Sequence, residues 1–284
     1  MKNIVVIPNP KKDKGLKITE AVTDRLIACG FSVKVEAEYL GLLDGASTYD
    51  QASDNIDLVI VIGGDGSVID ASGIAISKDV PLLGVNLGRV GYLTEVEPDG
   101  LCCFDRLKSG EYTVENRLLL TTERIGSDGT VYPSERLAVN DVVISQDGYF
   151  GIAEFRVENS RGEFVDYRGN GVIVATPVGS TAYSLSAGGP IIAHNLDSIT
   201  VTPVCPHSFF NRSIVYEPNE RIIISNTGDM LLNISVDGRN FEPISPGEKC
   251  RISASAKKLK MITFKTNNMF TALFDKINRP ENNV

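Results

Sequence analysis

The chain has no tryptophan and only two histidines, His194 and His207, among its 284 residues. That leaves little material for a His-rich metal centre or a Ser-His-Asp hydrolase. Cysteine is scarce as well. Cys29, Cys102, Cys103, Cys205 and Cys250 contain no CxxC pair and are odd in number, which argues against a disulfide framework or a zinc site and fits a reducing cytoplasm. Apolar runs such as Leu58 to Ile62 stay far short of the roughly 20 residues that cross a bilayer. The opening MKNIVVIPNP starts a strand at once and lacks a signal-peptide pattern. With a net charge of −8 and no basic block longer than Lys257-Lys258, a nucleic-acid partner is not expected. Neither GxxxxGK[ST] nor GxGxxG occurs, so the Walker A loop and the common dinucleotide fingerprint are both excluded. The composition that remains, 42% hydrophobic and 23% charged, is that of a globular protein with one large or two modest cores.

The first hundred residues alternate strand and helix signals. Ile4 to Ile7 reads as a buried strand stopped by Pro8-Asn9-Pro10. Ile18, Val22, Leu26 and Cys29 recur at helical spacing, and Gly30 follows where a helix usually ends. Phe31, Val33, Val35 and Ala37 alternate as a strand does, Leu58 to Ile62 is continuously apolar, Val68 to Ser77 is helical, and Pro81 to Val85 is a further strand. This order predicts a Rossmann-like parallel sheet with helices on both faces. The pattern changes near Ser109. Beyond it, strands such as Val139 to Ser145, Ala153 to Glu158, Arg221 to Ser225 and Leu231 to Val236 alternate with turns such as Ser127-Asp-Gly129 and Asp237-Gly238. An all-β, sandwich-like domain is expected there. Met269, Leu273, Phe274 and Ile277 form a helical stripe, expected to return to the first domain. The expected division is thus an α/β domain of residues 1–110 plus 267–284 and a β domain of residues 111–266.

Two stretches carry chemistry. Gly63-Gly-Asp-Gly-Ser67 falls on a strand-to-helix turn, at the edge of a parallel sheet where ligands bind. Its glycines expose backbone N–H groups, and a helix N-terminus follows, so the turn can hold an anion. Asp65 is either a helix cap or a functional carboxylate. Lys11, Lys12 and Lys14 read equally as a phosphate-attracting rim or as an ordinary solvated loop. The other stretch is RGNGVIVATPVGSTAYSLSAGGPII, Arg168 to Ile192. Ser180, Thr181, Tyr183, Ser184 and Ser186 crowd five hydroxyls into seven positions, a density that suits a ribose, amide or phosphate. By composition alone it reads equally as a loop between two strands.

These two motifs together, with Asn86-Leu-Gly-Arg-Val-Gly-Tyr-Leu-Thr-Glu95, Asn140-Asp141 and Cys205-Pro-His-Ser208 in the same order, resemble the NAD kinase family. The resemblance implies phosphoryl transfer to the 2′-hydroxyl of the adenosine ribose of NAD, from ATP, another nucleoside triphosphate or polyphosphate. It implies Asp65 as base or orienting acceptor, and Gly63, Gly64 and Gly66 as the room for donor phosphates. A divalent ion, Mg²⁺ by expectation, arrives on the donor, with no protein metal site. Asn140, Asp141, Thr181, Ala182, Tyr183 and Ser186 are implied around the adenosine, with Tyr92, Arg168, Asn170 and Arg239 completing the substrate set. Homodimers or tetramers through the β domain and a cytoplasmic location are implied too.

Several positions depart from the family pattern. Ser67 stands for Thr, Asp141 for Glu, Val178 for a hydroxyl residue (which takes away one polar group), Arg239 for Gln, and Asn170 for the Asp expected after Arg168-Gly169. The last removes a charge and, with Val178, motivates a second reading, a catalytically weak dinucleotide-binding or regulatory protein. A third, a diacylglycerol- or sphingosine-type lipid kinase, shares the Gly-Gly-Asp-Gly loop.

Overall fold

The computed structural model of the chain describes residues 1–88, 91–146, 148 and 151–264. Two compact units divide it, one holding Met1–Asn116 and the chain from Leu259, the other Arg117–Lys258.

In the first unit β1 (Asn3–Pro8) leads through α1 (Lys17–Ala28) to β2 (Ser32–Val35) and the edge strand β3 (Ser47–Thr48). Then come β4 (Leu58–Gly63), α2 (Asp65–Lys78), β5 (Leu82–Asn86), α3 (Phe104–Ser109) and β6 (Thr113–Arg117). β1 pairs in parallel with β2 and β4, and β4 with β5. Every residue of β4 is buried, as in a strand covered on both faces. Val22 and Leu26 of α1 pack with Ile4, Val6, Ile60, Ile62 and Phe104 in one core. Gly30, at φ +90°, closes α1 in the left-handed conformation that glycine alone adopts freely. At the other end of α1 the Asp13 carboxylate accepts the N–H groups of Ile18 and Thr19 and the Thr19 hydroxyl, satisfying donors that a helix start leaves open.

The second unit begins with β7 (Leu120–Ile125), β8 (Val131–Pro133), β9 (Asp141–Gln146), β10 (Ala153–Glu158), β11 (Phe164–Gly169) and β12 (Gly171–Ala175). A single helical turn, α4 (Tyr183–Ser186), precedes β13 (Ile199–Val204), β14 (Ile214–Tyr216), β15 (Arg221–Asn226), β16 (Leu232–Val236), β17 (Arg239–Ile244) and β18 (Lys249–Ala254). They form two sheets, ordered β11-β10-β15-β18-β7-β8 and β14-β13-β12-β9-β16-β17. Phe155, Tyr167, Ile224 and Ile252 from one sheet and Val142, Ile144, Val172 and Leu232 from the other share one apolar cluster, so the expected sandwich forms. β12 is buried throughout. Its outer residues Ile173 and Ala175 are covered in part by Ala187, just past α4, because the hydroxyl-rich stretch folds back over that face.

The chain then returns as β19 (Leu259–Thr263), and the first sheet runs β3-β2-β1-β4-β5-β19-β6. Residues 113–116 and 259–263 therefore belong to the α/β unit, not to the β domain where the sequence pattern put them. Strand and turn signals are local and do not say which sheet a strand joins. What holds the return is packing: Ile262 and Phe264 enter the first core, and the Arg106 guanidinium lies 5.0 Å from the Phe264 ring centre and donates to the Phe264 carbonyl at 3.1 Å. The helix expected over residues 267–277 lies outside the described residues.

Candidate active site

β4 ends at Gly63, whose register partner is Asn86 on β5. The Leu87 N–H donates to the Gly63 carbonyl at 2.7 Å, so the two strand ends turn together. A Cβ on Gly63 would lie 2.3 Å from the Ser67 hydroxyl, and only glycine fits. That hydroxyl accepts a bond from Asn9 Nδ2 at 2.7 Å, which ties the β1–α1 loop to the first turn of α2. Asp65 is the first residue of α2. Its two carboxylate oxygens accept the N–H groups of Tyr92 and Leu93, each at 3.0 Å. Asp65 thus anchors the segment that follows β5 and is itself held in orientation. Burial, and then the Asp65 charge, push the Tyr92 phenol above its usual range.

Lys12 completes this corner. Its Nζ is 2.6 Å from where a Cβ on Gly64 would lie and 3.4 Å from the same position on Gly88. An ammonium therefore stands over the glycine turn and the N-terminus of α2. Of the three lysines in this loop, the sequence did not single it out. Gly63, Gly64, Asp65, Gly66 and Tyr92 come together at this corner, while Arg89 lies outside the described residues.

In the second unit Asn140 and Asp141 open β9. Asp141 pairs with Ala175, the last residue of β12, so the turn after β12 starts beside them. Thr176 bonds this turn to them: its N–H donates to the Asn140 carbonyl at 2.8 Å and its hydroxyl to the Val139 carbonyl at 2.6 Å. A Cβ on Gly179 would lie 2.0 Å from the Asn140 carbonyl oxygen. Three of the five crowded hydroxyls are bonded within the protein. Ser180 donates to Pro177, Thr181 to Val178, and Ser184 shares a bond with Thr202, because a turn this tight turns short hydroxyls onto its own carbonyls. Tyr183, 47% exposed, and Ser186 face solvent, with Ala182 half-buried between the two kinds. Val178 is 3% exposed, an apolar setting that explains its lack of a hydroxyl.

Asp141 is 5% exposed. Burial, and then the Asp237 carboxylate, push its carboxyl up to about 7. Arg168 and Asn170 lie elsewhere. They flank the start of β12, where Gly171 pairs with Ser145, and at about 3.3 Å per residue the far end of that strand is roughly 13 Å away. Arg168 pairs with Glu154 at 3.0 Å, and its carbonyl accepts the His207 N–H at 2.7 Å, so the Cys205–Ser208 segment packs along it. The Asn170 side chain is exposed, and its backbone is held by Val204 and Gln146. Arg239 is exposed at the start of β17.

Two family models match this chain, the ATP-NAD kinase N-terminal domain over residues 4–102 and the ATP-NAD kinase C-terminal domain over residues 139–264. The chain belongs to the NAD kinase family. The NAD kinase of Caldanaerobacter subterraneus subsp. tengcongensis is 34% identical over 98% of this chain and 99% of that protein. The NAD kinase of Clostridium botulinum is 34% identical over 98% and 96%. Yeast NADH kinase, solved with NADH, has the same fold at a TM-score of 0.87 and 20% identity, covering 100% of this chain and 89% of that one. An Archaeoglobus fulgidus NAD kinase, solved with ATP, matches at 0.73 and 23%, covering 97% and 99%. Membership of the NAD kinase family along nearly the whole chain replaces the lipid-kinase alternative. Asn9, Lys12 and Asp237 are the polar residues at these two places that motif reasoning missed. Asn9 lay in a Pro-Asn-Pro stop and Asp237 in an Asp-Gly turn, where both types are common for backbone reasons alone.

Proposed function

We propose that the chain transfers the terminal phosphoryl group of ATP to the 2′-hydroxyl of the adenosine ribose of NAD, giving NADP. The observation that carries this reading is the corner of Asp65, Gly63, Gly64 and Lys12, where a pre-oriented carboxylate sits beside an anion-binding turn capped by an ammonium. Phosphoryl transfer asks mainly for alignment and charge neutralisation. The N–H groups at the start of α2 and the Lys12 ammonium meet the donor phosphates. The ribose oxygen forms the new P–O bond, the bond to the leaving diphosphate breaks, and Asp65 accepts the hydroxyl proton. Each Asp65 oxygen takes one N–H bond, which leaves each a lone pair for that role. A divalent ion carried by the donor would supply further charge neutralisation there. Among the described residues no group of three or more His, Cys, Asp or Glu side chains is placed to hold an ion.

The acceptor adenosine is assigned to Asn140, Asp141, Ala182, Tyr183 and Ser186, with Thr181 shaping the turn, and the phosphates of NAD to Arg168 and Arg239. Asn170 offers an amide in place of a charge. Self-association through the β unit is part of the same reading, supported by Phe209, 111% exposed, and Phe210, 43% exposed. A reducing compartment agrees with five free cysteines.

The test is a coupled assay of NADP formation with the wild type and Asp65→Asn. Asparagine keeps one acceptor, so turnover is expected to fall about 10²- to 10⁴-fold with NAD affinity largely kept. Turnover within about threefold of wild type in a folded variant removes the base role. Tight NAD binding by a wild type that forms no NADP supports the regulator reading instead.

A further inference from the structure

Asp237 opens the Asp-Gly turn that the sequence marked only as a turn, and three backbone N–H groups of the acceptor side converge on its carboxylate. It sits between β16 and β17 at φ +51°, a left-handed conformation that Asp and Asn tolerate better than most residues. One carboxylate oxygen accepts the Val139 N–H at 2.9 Å, and the other accepts those of Asn140 at 2.8 Å and Asp141 at 3.1 Å. Its own N–H donates to the Asp141 carbonyl at 2.9 Å. The carbonyls of Val139 and Asn140 are taken by Thr176 from the opposite direction. Three consecutive residues are thus gripped through their N–H groups by one carboxylate and through two carbonyls by one threonine.

We propose that Asp237 is a positioning residue for dinucleotide recognition, its carboxylate holding the Val139–Asp141 backbone so that the Asn140 and Asp141 side chains meet the acceptor nucleotide. The inference rests on the assignment of Asn140 and Asp141 to NAD made above. Charge-assisted bonds from three N–H groups give a stiffer hold than a strand ladder supplies at its first residue. The cost is a second carboxyl, Asp141, buried beside the first. Burial pushes the Asp237 carboxyl up from its usual range, against the opposing pull of its three N–H groups and of Arg136. β12, β16 and the Thr176–Thr181 turn bring no ionisable side chain to the pair. Asp141 therefore loses its proton near neutrality, and the ionised form is the one that accepts bonds from ribose or adenine donors. Efficiency toward NAD then rises with pH through that ionisation. Removing the Asp237 charge lowers the proton affinity of Asp141 and moves this limb to lower pH.

The experiment compares kcat/KM for NAD and KM for ATP across the neutral range in wild type, Asp237→Asn and Asp141→Asn. Asparagine suits the left-handed turn but presents an amide to one of the three N–H groups. In Asp237→Asn the KM for NAD is expected to rise about tenfold, the equivalent of one lost hydrogen bond. The KM for ATP stays within about twofold, and the acid limb shifts to lower pH. In Asp141→Asn the limb disappears. An unchanged KM for NAD overturns the proposal, as does a parallel rise of both KM values with the limb in place, which is the mark of general loosening. Should Asp237→Asn not fold, Asp237→Glu keeps the charge and misplaces it: KM for NAD rises with the limb unmoved, and an unmoved KM overturns the proposal. A wild type that makes no NADP defeats the kinase reading alone. NAD titration of the same proteins then still reports on the clamp.

Discussion

Lys12 reaches the glycine turn because its loop is tied at both ends, at Asn9 to Ser67 and at Asp13 to the first turn of α1. Its N–H also bonds the Asn9 carbonyl at 3.0 Å, which leaves the side chain as the free part of a rigid loop. Lys12→Met keeps the stem and removes the charge. One charge-assisted bond to a donor phosphate is worth roughly 1.5–3 kcal/mol, so the KM for ATP is expected to rise at least about tenfold while the KM for NAD stays put. Initial rates with ATP varied at saturating NAD check this, and Lys12→Arg should restore much of the loss. An unchanged KM for ATP would take Lys12 out of the phosphate site. Three lysines within four residues look alike in a sequence. Only the Asn9–Ser67 bond, between positions far apart in the chain, selects the middle one.

At the scale of elements, the turn after β12 does more than present side chains. Gly179 packs on the Asn140 carbonyl so closely that a methyl group there would have to displace backbone. Gly179→Ala is expected to cost roughly 1–3 kcal/mol, as overpacking a tight core does, and to weaken NAD binding by pushing Asn140 away. Thermal unfolding with NAD titration measures both, and a variant equal to wild type in both would show that the turn relaxes freely. The strands were legible because β-branched runs between Asp-Gly turns have few other uses. β4 was the plainest, buried at every position. The hydroxyls of the turn were less legible, for an opposite reason. Composition reports which groups are present, while the tightness that turns Ser180, Thr181 and Ser184 onto neighbouring protein atoms comes from Gly179 and Gly189 meeting distant atoms.

For the whole molecule, the two-unit plan was readable from the change of pattern near Ser109, but the first sheet's last members were not, since β19 lies between β5 and β6. Leu259, Met261, Ile262 and Phe264 are at most 5% exposed. At about 1.5–3 kcal/mol for each buried side chain, their loss rivals the roughly 5–15 kcal/mol that typically stabilises a folded protein. A chain stopped after Lys258 should therefore keep a protease-resistant β unit and lose protection in residues 1–116, a contrast that limited proteolysis or hydrogen exchange reads directly. Equal protection of both would mean that β19 is dispensable. The same threading sets a timetable on the ribosome. Synthesis makes the Gly-Gly-Asp-Gly loop early, yet its sheet waits for β19, translated long afterwards at Leu259–Thr263, and the β unit can finish meanwhile. The half of the enzyme that is made first is the half that closes last, so an interrupted nascent chain can own a complete dinucleotide turn without owning a working phosphate corner.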